Sequence, residues 1–105
     1  MILEIATLTI KSGMESAFET GVTSAVAAFK AAKGCHGMEL QRSHEVPNRY
    51  LLFVRWDSVE AHMVDFRESP EFQVWRKAVG HCFEAPPTVE HVITAVHGFG
   101  GTVGD

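Results

Sequence analysis

Segments of this chain that alternate like strands carry apolar residues on both sides. In Tyr50-Leu51-Leu52-Phe53-Val54-Arg55-Trp56, one side presents Tyr50, Leu52, Val54 and Trp56 and the other presents Leu51 and Phe53, because successive side chains along a strand point to opposite faces. Residues 2 to 10 repeat the feature, with Ile2, Leu3, Ile5, Leu8 and Ile10 interleaved with threonines. The helical segments are too few to cover more than one face of a sheet built from such strands. A large apolar face left open on a soluble monomer is a liability, so the pattern predicts that a second copy of the chain covers it.

Between the strands the period changes. Met14, Phe18, Val22, Ala25, Val26 and Phe29 follow one another at spacings of three and four, a single stripe along a first helix, with Ser12 and Glu15 placed as a capping box and Gly34 closing the far end. A second strand is expected from about Gly37 to Glu45, a turn at Pro47 and Asn48, and a third strand over Tyr50 to Trp56. Asp57-Ser58-Val59-Glu60 opens a short helix through Phe66, and Ser69-Pro70-Glu71 opens another whose stripe is Phe72, Trp75, Val79, Cys82 and Phe83, ended by Pro86 and Pro87. A last strand is expected over about Thr88 to His97. The order β-α-β-β-α-β, with the second helix broken, predicts an α+β ferredoxin-like fold: a four-stranded antiparallel sheet with helices on one side. Residues 1–97 read as one domain and 98–105 as a glycine-rich tail, mobile or draped over the partner.

Composition changes this picture little but narrows the partners. An apolar fraction of 46% with 21% charged residues is ordinary globular composition. A formal charge of −4 with no cluster of Lys and Arg argues against nucleic acid, which demands a basic stripe. The apolar first ten residues carry Glu4 and no basic leader and are too short to span a bilayer, so neither a secretion signal nor a membrane anchor is expected. Two cysteines, Cys35 and Cys82, are too few for a stapled secreted scaffold, and the default location is cytoplasmic. Cys82 follows His81, but neighbours on a helix point about 100° apart, so the pair reads as a buried thiol beside a helix-end histidine.

The run Trp56-Asp57-Ser58-Val59-Glu60-Ala61, followed by Ser69-Pro70-Glu71-Phe72, resembles the tryptophan, serine, alanine and S-x-x-F pattern of antibiotic biosynthesis monooxygenase domains. In layout the resemblance covers nearly the whole chain; it is sharpest over residues 50 to 75. It implies a dimeric α+β barrel of two facing sheets, with a pocket in each protomer between its own sheet and helices. The family includes cofactor-free oxygenases acting on electron-rich aromatics, heme-degrading enzymes, and proteins acting on small dicarbonyl signals. Heme-degrading members have a histidine ten residues after the tryptophan and often an asparagine on strand one. Here the first position is Phe66, and residues 2 to 10 contain no asparagine, which puts heme ligation in the usual mode in doubt.

Trp56 ends the third strand where the implied pocket lies, and its indole is suited to stack on a flat substrate, although a core tryptophan explains it equally well. His62, one turn before Phe66, is the candidate general base, set against the many exposed histidines found on short helices. Phe66, Phe72 and Trp75 are candidate walls for an aromatic ligand, and His91 joins them if it faces the helices, a parity the sequence leaves open. Six histidines invite a metal, but His91 and His97 lie about 20 Å apart along a strand, and no H-x-x-x-H or C-x-x-C spacing is present. No metal and no cofactor are expected. The reading is a cofactor-independent monooxygenase for a small electron-rich aromatic or enolic substrate. The alternatives are a non-catalytic, dimeric small-molecule-binding or stress-related module, and non-redox work on a small dicarbonyl.

Overall fold

Strand alternation dictates the architecture. In the computed structural model, which describes residues 1–101, strands β1 (Ile2–Thr9), β2 (Cys35–Arg42), β3 (Arg49–Trp56) and β4 (Thr88–Val92) form one antiparallel sheet in the order β2-β3-β1-β4. Directly opposed residues share a face, so the register Glu4 to Val54, Ala6 to Leu52 and Leu8 to Tyr50 places the even positions of β1 and β3 together. The pairing of Glu4 with His91 and Ala6 with Val89 adds β4 to the same face. Helices α1 (Glu15–Ala31) and α2 (Pro70–Val79) supply Phe18, Val22, Ala25, Phe29, Trp75 and Val79 to the core that this face completes. The fold is α+β ferredoxin-like, as the element order predicts.

The other face carries Ile5, Leu51 and Phe53, and the main core cluster includes none of them. Its apolar row is the one expected to meet a second copy. Among the described residues no helix is long and apolar enough to cross a membrane.

α1 and α2 touch where Gly21 faces the end of α2. A Cβ on Gly21 would stand 2.7 Å from the Ala78 carbonyl oxygen and 3.1 Å from Val79 Cγ1, so the close approach of the two helices depends on the missing side chain.

Several boundaries differ from expectation. Ser12 caps nothing: α1 starts from Met14, and Glu15 Oε1 instead accepts a hydrogen bond from Gly13 N at 2.9 Å, with Gly13 at φ +89°. Within the α1 stripe Val26 is exposed. Gly34 lies three residues beyond the end of α1, in the left-handed conformation of the turn into β2. β2 ends at Arg42 and β4 at Val92, earlier than the patterns suggested. The β4 difference follows from the register: Val92 already pairs with Leu3, so β1 has almost no strand left for residues 93–97. Ile93, Val96 and Phe99 are consequently exposed at 74%, 85% and 94%. Of the tail, residues 98–101 lie outside helix and strand, and residues 102–105 lie outside the described residues.

The expected break is the short turn that precedes α2, and the short helix expected through Phe66 is a π-helical segment, Ala61–Phe66. Ser58 Oγ accepts from Ala61 N at 3.1 Å before it. After it, Ser69 Oγ accepts from Phe72 N at 3.3 Å and Pro70 takes the first position of α2, as the sequence indicates. Wide helical turns of this type are rare and concentrate at functional sites.

Candidate active site

Every core-facing position of β1 is apolar except one. Ile2, Ala6, Leu8 and Ile10 flank Glu4, whose side chain therefore points into the core, where it is 5% exposed. A carboxyl group so placed needs partners, and three other elements supply them. From the end of β3, the Trp56 indole N–H donates to Glu4 Oε1 at 2.9 Å. From the π-helical segment, His62 Nε2 lies 3.3 Å from the same oxygen, and the His62 and Trp56 rings stack with centroids 5.2 Å apart and planes at 19°. From β4, His91 Nε2 lies 2.9 Å from His62 Nδ1. Glu4, His62 and His91 thus stand in one row, with His62 and His91 joined by a hydrogen bond and His62 and Glu4 in polar contact at 3.3 Å.

In front of this row lies a cavity of about 380 Å³ between the sheet and α2. Glu4 and His62 reach its floor; Phe66, Phe72, Trp75 and Phe29 form its aromatic walls; Arg67 and Arg76 stand on its lining. The walls hold one another: Phe66 packs its ring against Phe29, Trp56 and Phe72 with centroid separations of 5.0 to 5.5 Å. Neither arginine makes an ion pair among the described residues, and the Arg76 guanidinium lies over the Phe72 ring at 5.9 Å.

Burial sets the protonation states. Desolvation pushes the Glu4 carboxyl up from 4.5 to about 7, against the smaller opposing pull of the Trp56 hydrogen bond and the Arg67 charge. It pushes His62 down from 6.5 to about 4, a direction that His91 and Arg67 reinforce. A carboxylate and an imidazolium 3.3 Å apart would shift each other the opposite way, toward an ion pair. Desolvation of two charges this deep opposes the ion pair, and both shifts run toward neutral groups across the contact.

Of the residues expected at a site, the structure brings His62, Phe66, Phe72 and Trp75 to the cavity and places His91 behind His62, on the helix-facing side of the sheet. Trp56 is fully buried, with one ring face against His62 and its N–H donated to Glu4, the surroundings of the core tryptophan that the sequence equally allows. His62 is not an exposed surface histidine but 4% accessible.

Glu4, Arg67 and Arg76 escaped the sequence reading. For Glu4 a signal existed, a single charged residue on the core parity of β1; for the arginines there was none. At the position where a heme-degrading relative carries its iron ligand stands Phe66, and both nitrogens of His62 are already engaged, so these residues do not fit heme ligation. Among the described residues no group of three or more His, Cys, Asp or Glu side chains is placed to hold a metal ion.

Residues 1–78 match the family model described as "Antibiotic biosynthesis monooxygenase". The crystal structure named "Putative antibiotic biosynthesis monooxygenase" from Bordetella bronchiseptica is 50% identical in sequence, covers 90% of this chain and 97% of that one, and superposes with a TM-score of 0.89. "Uncharacterized protein YczJ" of Bacillus subtilis is 41% identical over 92 residues, which is 87% of this chain and 96% of that protein. At 23% identity, Rv0793 from Mycobacterium tuberculosis shares the fold, with a TM-score of 0.74 over 91% of this chain and 96% of its own.

Proposed function

Because the chain belongs to the antibiotic biosynthesis monooxygenase family, we propose that it is a cofactor-independent oxygenase that oxidises a small electron-rich phenol or enol held in the cavity before Glu4. The observation that carries the reading is a buried carboxyl at the floor of an aromatic-walled cavity, where desolvation pushes its pKa up to about 7. A base with that pKa is matched to proton abstraction near neutral pH. His62, held neutral, orients the carboxyl instead of taking the proton itself.

The Trp56 hydrogen bond and the His62 contact both fall on Oε1, which leaves Oε2 for a substrate hydroxyl. Transfer of that proton to Oε2 gives a phenolate or enolate, rich enough in electrons to reduce dioxygen directly. One-electron transfer and recombination form a carbon–oxygen bond, and Glu4 returns its proton to the resulting peroxide. Loss of the hydrogen on the same carbon with cleavage of the O–O bond completes the conversion: substrate plus dioxygen gives a carbonyl product, two hydrogens poorer, plus water. Arg67 and Arg76 supply positive charge beside the developing anion, and the aromatic walls exclude water from it. The apolar odd face of the sheet, with Leu51 and Phe53, is the surface through which two copies associate.

The test is oxygen uptake by chelator-treated protein with a panel of hydroquinones and anthrols. Uptake that survives chelation and collapses in Glu4→Gln supports the proposal; uptake that chelation abolishes, or that Glu4→Gln leaves unchanged, refutes it.

A second reading, a binding module without turnover, draws on one observation. Both His62 nitrogens are engaged within the protein, so the ring offers nothing to a ligand. Native mass spectrometry separates the readings: an unmodified co-purified ligand favours binding, an oxidised one favours turnover.

A further inference from the structure

The row of polar side chains behind the cavity, Glu4, His62 and His91, ends at a residue outside the cavity lining. We infer that Glu4, His62 and His91 form a proton wire, with His91 as the positioning residue at its outer end, through which Glu4 exchanges its proton with water while a ligand covers the carboxyl from the front. This rests on the reading of Glu4 as the base.

The geometry allows two complementary states. With Glu4 protonated, Oε1–H faces His62 Nε2, a 3.3 Å contact that a small rotation of the carboxyl closes for transfer, and His62 Nδ1–H donates to His91 Nε2 across 2.9 Å. His91 then carries its hydrogen on Nδ1, an atom that no hydrogen bond engages among the described residues. Release of the proton runs as three coupled transfers. The Nδ1–H bond of His91 breaks and that proton joins water; the Nδ1–H bond of His62 breaks as Nε2–H of His91 forms; Oε1–H of Glu4 breaks as Nε2–H of His62 forms. One proton leaves, Glu4 becomes a carboxylate accepting from both His62 and Trp56, and neither ring changes charge. Uptake from water is the reverse.

Neutral passage matters because His62 is buried and resists becoming an imidazolium. The direction of the wire follows from the sheet: β4 is an edge strand, and His91 is half-buried, whereas Glu4 on the adjacent β1 is enclosed. Trp56 offers no competing path, since an indole N–H donates without accepting.

The charged and titratable groups around Glu4 are few. Trp56 on β3 donates to it; Arg67, just after the π-helical segment, acts on it and on His62 through its charge; Arg76 on α2 shares the cavity lining; Cys35 at the start of β2 feels the Glu4 charge. Glu90 belongs to the opposite face of β4. The wire's role is to prime the base: it removes the carboxyl proton by the back before a bound substrate offers its own at Oε2.

Nitrogen-15 spectra of histidine-labelled full-length protein distinguish Nδ1–H, Nε2–H and doubly protonated rings. As pH rises, His62 and His91 are both expected to switch from Nδ1–H to Nε2–H with one common midpoint. That midpoint is also expected for the Glu4 carboxyl carbon in carbon-13-labelled protein, and the switch is expected to vanish in Glu4→Gln. A His62 ring that loses charge instead of exchanging tautomers, a switch in only one ring, or a switch that persists in Glu4→Gln overturns the wire. Should Glu4→Gln not fold, the three wild-type midpoints decide: coincidence supports the wire and separation overturns it. No substrate is needed, so absence of oxygenase turnover and failure of the wire are read independently.

Discussion

Replacement of Glu4 by glutamine should alter the shape of the protein's pH–stability curve as well as its height. Glu4 has a folded pKa of about 7 against an ordinary 4.5, so its contribution to stability is fully present below about pH 4.5 and is lost as pH rises through 7. At about 1.4 kcal/mol per pH unit, that interval amounts to about 3 kcal/mol. His62 behaves in the opposite sense. Its folded pKa of about 4 lies below the ordinary 6.5, so its contribution is present above about pH 6.5 and is lost as pH falls through 4, again about 3 kcal/mol. In the wild type the two slopes oppose each other between about pH 4.5 and 6.5 and nearly cancel. Glu4→Gln leaves only the His62 slope: the variant should gain about 3 kcal/mol from pH 4 to 6.5 and then level off. Relative to the wild type it becomes steadily more stable as pH rises to 7, on top of a constant offset from the altered hydrogen bond to Trp56. Urea unfolding followed by Trp56 and Trp75 fluorescence, at fixed protein concentration from pH 4 to 8, measures the difference curve. A flat curve would show that Glu4 titrates normally; a curve falling with pH would show a buried ion pair with His62. Either result removes the physical basis for treating Glu4 as a neutral-pH base.

Other substitutions probe the packing and the face left bare. Trp56→Phe removes the hydrogen bond that holds the Glu4 pKa down, so the Glu4 carboxyl carbon should titrate at a higher pH than in the wild type; an unchanged midpoint contradicts the assigned contact. Phe66→Ala deletes a ring packed against three others and should lower stability by about 3–5 kcal/mol in thermal or urea unfolding. Gly21→Ala gains up to about 1 kcal/mol of helix propensity but drives a methyl into the Ala78 carbonyl. A net loss of about 1–3 kcal/mol is expected, and a net gain would mean that α1 and α2 can separate freely. Leu51→Glu places a charge at a half-buried position of the outer sheet face, so light scattering at micromolar concentration should find a dimer for the wild type and a monomer for the variant; two equal masses rule out that face as the interface.

The fold was legible because its signals are local and periodic. Alternation in β3 grouped Tyr50, Leu52, Val54 and Trp56 on one side, and all four are buried in the core shared with the helices. Ser69 and Pro70 announced the start of α2 through capping chemistry that needs only its own turn. What the sequence concealed depends on distant partners. The end of β4 is set by where β1 runs out of backbone, at the far end of the chain, and nothing within residues 93–97 records it. Trp56 was visible as a residue of interest, but its ligand-stacking face is occupied by His62, a contact fixed by how the π-helical segment lands on the sheet. Glu4 was the readable residue that went unread: its parity on β1 is the same alternation that placed the core, and the partners of that row, Trp56 and His91, follow once the sheet order is known.

That parity also makes Glu4 more than a tolerated defect. An apolar side chain at this position would complete the β1 row of Ile2, Ala6, Leu8 and Ile10 with no desolvated carboxyl group to accommodate. Instead, the chain surrounds one acidic group with an indole donor, a stacked imidazole and a second imidazole drawn from three different elements. A purely structural solution would tie both carboxyl oxygens to protein donors, whereas here both contacts converge on Oε1 and the group still reaches the cavity. Burial raises the pKa against the pull of the Trp56 donor behind, and the same burial that destabilises the carboxylate suits it to the proposed role of base once a substrate excludes water. Stability and proposed chemistry are therefore coupled through one group, and an apolar substitution at Glu4 that hardens the fold should remove the proton acceptor with it.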